Sequence, residues 1–118
     1  MATTLYGIAD CDTIRKARKW LERQGVTYVF QDYKKAGVDE ERLRGWAGEV
    51  GWETLFNRRG TTFRKLPEES KENIDEDKAI MLMVAHPSMI KRPVLESDGN
   101  PLIVGFKSTE YEEALLEN

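Results

Sequence analysis

Apolar and polar positions in the first 33 residues follow two different periods. Residues 4–8 form a short apolar run, and residues 27–32 form a second run rich in β-branched and aromatic side chains, as is typical of strands. Between the two runs, apolar residues recur three and four positions apart up to Gly25, which is the spacing of one helix face. The pattern therefore predicts a β-α-β unit with a parallel pair of strands.

Between residues 38 and 86 no strand-like alternation occurs, and most of the apolar spacing is helical. Asp39 is a candidate N-cap for one helix, and a later helix begins at Asn73 or Asp75. Residues 57–65 contain a glycine and four cations, which predicts a polar loop. We therefore expect a mainly helical segment.

Strand patterns return near the C-terminal end. Residues 92–97 and 101–105 each contain a short apolar run, and residues 98–100, with the sequence DGN, form a hairpin turn signal between them. Thr109 and Glu112 have the spacing of a capping box, which predicts that a last helix begins at Thr109.

The order of these elements predicts the fold. A β-α-β unit, a helical block and a β-β-α unit follow one another, which is the order of a thioredoxin-like core with helices inserted between its halves. We therefore predict an α/β protein with a mixed four-stranded sheet. The core covers about residues 1–37 and 87–118, and the helical insertion covers about residues 38–86.

Composition narrows the class of protein. The chain has 118 residues, a formal net charge of −3, 40% hydrophobic and 33% charged residues, which fits one globular domain and argues against a general nucleic-acid binder. Because no apolar run has membrane-spanning length and the first residues do not look like a signal peptide, we expect a cytoplasmic protein without a membrane partner. The acidic clusters have no accompanying Cys or His, so we expect no metal site.

The only cysteine, Cys11, lies where the first strand gives way to the first helix. The unpaired N–H groups and the positive end of the dipole at a helix start favour a thiolate there. Asp10 and Asp12 oppose this effect, so a cation has to contribute, and Arg15 and Lys16 are the nearest candidates by sequence. Cys11 is therefore either a nucleophile or a small buried apolar residue.

Three segments carry a resemblance to a known family. These segments are CDTIRKARKWL after the first strand, NRRGTTFRKL in the middle of the chain, and HPSMIKRPVL before the hairpin. Together they resemble the ArsC-type family of thioredoxin-fold proteins, which includes arsenate reductases, the Spx regulators of RNA polymerase and the YffB subgroup. The form GIADCDTIRKARKWL is most similar to the YffB subgroup.

The resemblance implies roles for individual residues. Cys11 matches the family nucleophile, Arg92 matches an arginine that contacts the anion or glutathione, and Pro93 matches a proline that is cis in this fold. Either Arg58 or Arg59 matches a further anion-binding arginine, and the sequence leaves both open. A cis proline after Arg92 would fix the position of that arginine.

The chain also departs from the family pattern at three positions. Gly7 stands where arsenate reductases have a histidine, and about Gly105 stands where they have a third arginine. Because an oxyanion needs several convergent cations, both departures argue against arsenate reduction. Ile14 stands where redox-active Spx proteins have a second cysteine.

The combined evidence predicts an enzyme, a glutathione-dependent thiol oxidoreductase that forms a mixed disulfide at Cys11. We expect no bound cofactor; glutathione is the expected co-substrate, beside an unidentified thiol, disulfide or oxidised substrate. A protein-binding module that docks on RNA polymerase, as Spx does, is the alternative, and arsenate reduction ranks last. The expected glutathione-binding residues are Arg15, Arg58, Arg59, Arg92 and Pro93.

Overall fold

The computed structural model describes residues 3–9 and 11–116. These residues fall into two compact units. The first comprises the described residues up to 36 and from 92 onward, and the second comprises residues 37–91.

The first unit contains a four-stranded sheet. Its strands are β1 (Thr3–Gly7), β2 (Val29–Asp32), β3 (Val94–Ser97) and β4 (Ile103–Val104), in the order β2-β1-β3-β4. Strand β1 pairs in parallel with β2 and antiparallel with β3, and β3 pairs antiparallel with β4. The predicted mixed four-stranded sheet is therefore confirmed.

Helices account for most of the remaining structure. In the first unit they are α1 (Asp12–Arg23), α2 (Tyr33–Ala36) and α8 (Ser108–Leu115). In the second unit they are α3 (Glu40–Val50), α4 (Trp52–Leu55), α5 (Thr61–Arg64), α6 (Glu68–Lys71), α7 (Glu76–Ala85) and a 3-10 turn at Pro87–Met89.

The core of the first unit joins the sheet to α1 and α8. Leu5 of β1 and Leu95 of β3 are buried against Ala17 and Leu21 of α1, and Tyr111 of α8 completes the cluster. Because the apolar face of α1 packs on the central strand β1, the start of α1 has a fixed place at the end of that strand.

Local capping determines two helix starts in the second unit. The Asp39 carboxylate accepts a hydrogen bond of 2.7 Å from the N–H of Arg42, and the Asp75 carboxylate accepts one of 2.9 Å from the N–H of Lys78. Asp39 and Asp75 are thus confirmed as N-caps, and Asn73, the other candidate, has a positive φ of 52°. Helices α3 and α7 pack against each other.

Two local predictions were wrong. The capping box predicts a start at Thr109, but the N-cap of α8 is Lys107, whose carbonyl accepts the N–H of Tyr111 at 3.2 Å. Packing of the buried Tyr111 ring against Trp20 and Phe106 outweighs the local capping preference. The polar loop predicted at residues 57–65 contains one helical turn, α5.

Candidate functional site

Cys11 is the N-cap residue of α1. Its backbone is extended, with φ −108° and ψ 131°, and its carbonyl accepts the first helical hydrogen bond from the N–H of Arg15 at 3.0 Å. The thiol is partly exposed. Partial burial acts to raise the pKa of Cys11, but hydrogen bonding from the Ile14 N–H, the Arg92 side chain and the Thr13 N–H outweighs it, and the pKa lies below its ordinary value.

Arg92 is the cation that acts on this thiol. The peptide bond between Arg92 and Pro93 is cis, and the Pro93 carbonyl accepts a hydrogen bond of 2.8 Å from the N–H of Gly105. The guanidinium is partly buried and hydrogen-bonds both the Cys11 sulfur and the Tyr33 hydroxyl. Burial acts to lower the pKa of Arg92, but Tyr33 and Cys11 together raise it, so the charge is permanent.

Tyr33 is a residue of this site that sequence reasoning missed. Tyr33 directly follows the predicted second strand, begins α2 and is fully buried. Burial raises its pKa to about 12. The signal that marks this turn is Asp32, whose carboxylate accepts the N–H groups of Lys34 at 2.9 Å and Lys35 at 3.3 Å, as a helix-capping side chain does.

The other predicted cations near Cys11 lie differently. Arg15 donates to the carboxylate of Asp12 at 2.7 Å, and both side chains are mostly exposed, at 55% and 88%. Asp10 lies outside the described residues. The sequence-based choice of Arg15 rested on nearness along the helix, and the contact to the thiol that the structure provides comes from Arg92.

Arg58 and Arg59 belong to the second unit, where both are exposed. The Arg58 guanidinium lies 5.8 Å from the ring centroids of Trp52 and Phe56, within cation–π range. The Arg59 N–H donates to the side-chain oxygen of Asn57 at 3.0 Å. A surface cleft of about 400 Å³ is lined by Glu53, Phe56, Asn57, Arg58, Arg59 and Lys91. Participation of Arg58 or Arg59 in glutathione binding stays a prediction.

Gly7, at the end of β1, lies directly against α1. A Cβ atom placed on Gly7 would approach the Cδ1 of Ile14 to 2.1 Å, and Ile14 is fully buried. A side chain at position 7 therefore requires that Ile14 move or become smaller. The space that a side chain at position 7 would need is thus filled by the side chain of Ile14.

Residues 3–9 and 11–116 contain no group of three or more His, Cys, Asp or Glu side chains able to hold a metal ion. The same residues form no helix that is long and apolar enough to cross a membrane.

The sheet order, the cis peptide at Pro93 and the cysteine at the start of α1 define the class as a thioredoxin-like protein. The chain belongs to the ArsC family, whose model matches residues 6–114. The resemblance noted from its three motifs is therefore confirmed.

Known relatives cover nearly the whole chain. It is similar to the solved structure of a YffB protein, with 57% identity, a TM-score of 0.92 and coverage of 97% of this chain and 99% of that one. An uncharacterized protein of Haemophilus influenzae is 40% identical over 111 residues, 94% of this chain and 96% of the relative. The global transcriptional regulator Spx 2 of Bacillus cereus is 29% identical over 116 residues, 94% of this chain and 85% of the relative.

Proposed function

We propose that this protein is a glutathione-dependent thiol oxidoreductase that uses Cys11 as its nucleophile. The observation that carries the proposal is the arrangement at the start of α1, where the Ile14 N–H and the Arg92 guanidinium both stabilise the Cys11 thiolate. A thiolate that is stabilised and partly exposed is the reactive form for disulfide exchange.

The reaction has two exchange steps. In the first, the Cys11 thiolate attacks one sulfur of a glutathione-containing disulfide, a Cys11–glutathione bond forms, and the other sulfur leaves as a thiolate that takes up a proton. In the second, the thiolate of a reduced glutathione attacks the glutathione sulfur of this mixed disulfide. Cys11 then leaves as a thiolate, and oxidised glutathione is released. The sulfur that left in the first step has been reduced, and the glutathione that attacked in the second step has been oxidised.

The single cysteine and the nearby arginine favour glutathione as the thiol that attacks in the second step. With one cysteine in the chain, the thiol that resolves the mixed disulfide has to come from another molecule. Glutathione has two carboxylates, and arginine binds a carboxylate through a planar fork of N–H groups. Arg92 supplies this fork beside Cys11, and Arg15, Arg58 and Arg59 remain candidates for the second carboxylate.

The proposal is tested with oxidised glutathione and mass spectrometry. We expect one glutathionyl group on Cys11, its removal by reduced glutathione, and no adduct on the Cys11→Ser variant. A wild-type thiol that stays unmodified at a pH where it is ionised would exclude this function.

Similarity to Spx supports a second candidate, a protein-docking module for RNA polymerase. The exposed cleft with Arg58, Arg59 and Lys91 offers cations for such docking. A binding assay with purified RNA polymerase distinguishes the two functions, because a docking module should still bind RNA polymerase after Cys11→Ser. Arsenate reduction ranks below both, because Gly7 and about Gly105 stand where charged side chains are expected for binding an oxyanion.

A further inference from the structure

The buried hydroxyl of Tyr33 lies next to the two residues of the candidate site, Cys11 and Arg92. Tyr33 begins α2, which packs on β1 and β2, and its side chain has no exposed surface. Its hydroxyl oxygen accepts a hydrogen bond from the Arg92 guanidinium, the same group that hydrogen-bonds the Cys11 sulfur. The three side chains therefore form a continuous chain from the interior to the thiol.

We infer that Tyr33 is a positioning residue, whose hydroxyl holds the Arg92 guanidinium in place against the Cys11 sulfur. This inference rests on the proposed function, because it assigns a role in the activation of the same thiol. In this inference Tyr33 acts on the thiol through Arg92.

The inference follows first from the flexibility of arginine. An arginine side chain has several rotatable bonds, and a contact with a partly exposed sulfur restricts that freedom less than a contact with a buried atom does. A second contact to a buried, immobile oxygen selects one orientation. Because the guanidinium has five N–H donors in a fixed fork, it can bond Tyr33 and still present donors to Cys11 and to an incoming carboxylate.

The chemical nature of the anchor is the second argument. A carboxylate in the place of Tyr33 would also hold the guanidinium, but it would cancel the positive charge that the thiolate needs. A phenol anchors as a neutral acceptor. Burial keeps it neutral, since the pKa of Tyr33 is raised to about 12.

The first unit offers a matched control in Tyr111. Tyr111 is also fully buried, and its hydroxyl donates to the carbonyl of Gly105 at 3.4 Å. The Tyr111→Phe change removes a buried hydroxyl from the same unit without removing the oxygen that Arg92 binds. It therefore reports the general cost of such a deletion.

The experiment compares the wild type, Tyr33→Phe and Tyr111→Phe, each checked for folding by circular dichroism. The rate of Cys11 alkylation by iodoacetamide as a function of pH gives the thiol titration without glutathione, and adduct formation with oxidised glutathione gives the activity. For Tyr33→Phe we expect a higher titration midpoint and an adduct rate lower by roughly threefold to tenfold, a smaller effect than that of Arg92→Ala because the charge of Arg92 remains and only its anchoring hydrogen bond is lost. For Tyr111→Phe we expect the wild-type profile.

A double-mutant cycle with Arg92→Ala supplies the second measurement. Because Tyr33 acts through Arg92, Tyr33→Phe should have no further effect on the thiol in the Arg92→Ala background. Equal pH profiles for the wild type and Tyr33→Phe, or additive effects in the cycle, would overturn the inference. A shifted alkylation profile in a protein that forms no glutathione adduct would leave the inference standing and refute the proposed function.

Discussion

Arg92 and Arg58 are two arginines of one chain in opposite surroundings. Arg92 is partly buried, is bonded to the buried Tyr33 and acts on the Cys11 thiol. Arg58 is exposed, and its guanidinium lies above two aromatic rings at 5.8 Å. Both carry the same charge, so they differ in how firmly the surrounding residues hold each guanidinium in one orientation.

The difference in burial determines how strongly each arginine can stabilise a nearby anion. Water and salt screen an exposed guanidinium, and its side chain loses entropy whenever it is held by a ligand. A guanidinium already oriented by a buried partner has lost that entropy on folding. We therefore expect the chemistry of Cys11 to depend strongly on Arg92 and weakly on Arg58.

Arg92→Ala should have the largest effect. Loss of a charge-assisted hydrogen bond costs about 1.5–3 kcal/mol, which corresponds to a rate of Cys11 adduct formation lower by roughly tenfold to 150-fold. The measurement is the adduct rate as a function of oxidised glutathione concentration. A rate within twofold of the wild type would remove Arg92 from the site.

The same variant should also be less stable. An arginine in an anion site usually contributes little to the core, but the Tyr33 hydroxyl accepts a hydrogen bond from Arg92. Because that buried oxygen loses a donor, we expect a cost of about 1–3 kcal/mol and a melting temperature lower by several degrees. An unchanged melting temperature would show that Tyr33 is satisfied without Arg92.

The pH dependence tests the lowered pKa of Cys11 directly. The adduct rate should fall about tenfold per pH unit below the folded thiol pKa and reach a plateau above it, since only the thiolate reacts. The fall should begin at higher pH in Arg92→Ala, because one of the groups that lower the pKa is gone. Superimposable profiles of the two proteins would contradict this cause.

The same ionisation should appear in stability. The folded state favours the thiolate, so its contribution is fully present above the unfolded thiol pKa of about 8.5 and is lost as the pH falls through the folded pKa. Denaturant unfolding of the wild type and Cys11→Ser at several pH values measures it. We expect the free energy of unfolding of the wild type, relative to that of Cys11→Ser, to decrease as the pH falls.

Arg92→Lys should fall between the wild type and alanine. Lysine retains the charge but cannot bond Tyr33 and Cys11 through a planar fork, so we expect a rate lower by roughly threefold to tenfold. The adduct assay with the three proteins side by side measures this. Full recovery by lysine would mean that charge alone matters and that orientation does not.

Arg58→Ala and Arg59→Ala should have smaller effects. We expect at most a threefold change in the glutathione concentration dependence, the scale of an exposed ion pair of about 0.2–1 kcal/mol, and no change in the thiol titration. Each variant serves as the control for the other, which also decides between the two candidates that the sequence leaves open. A loss of adduct rate as large as that of Arg92→Ala would show that an exposed arginine affects Cys11 as strongly as the partly buried Arg92 does.

Asp12→Asn should have the smallest effect. Its ion pair with Arg15 is exposed, so we expect a stability change below about 1 kcal/mol. The thiol should titrate slightly lower, because a neighbouring negative charge is removed. A clear rise of the thiol midpoint would show that the pair with Arg15 supports the thiolate.

Local patterns made most of the fold predictable. The strands, the helix that starts at Cys11 and the caps at Asp39 and Asp75 depend on spacing and capping within a few residues. Where packing between distant segments competes with a local signal, prediction was wrong, as at Thr109, where the buried Tyr111 determines how α8 begins.

The site was predictable in part for the same reason. Cys11 follows from its place at a helix start, and Arg92 and Pro93 follow from the family resemblance. Tyr33 gave no such signal, because its contact with Arg92 joins two residues that are far apart in the sequence. Nearness along the chain pointed to Arg15, whereas nearness in space belongs to Arg92.

The isoleucine at position 14, buried beside Gly7, bears on the order of the proposed reaction. A cysteine in place of Ile14 would meet a mixed disulfide at Cys11 intramolecularly, at an effective concentration of about millimolar or higher. Position 14 holds isoleucine and the chain has one cysteine, so the resolving step of the proposed reaction needs a second molecule and is bimolecular. If the proposed reaction occurs, the lifetime of its mixed disulfide varies inversely with the concentration of free thiol around the protein, and the fraction of Cys11 in the adduct reports that concentration.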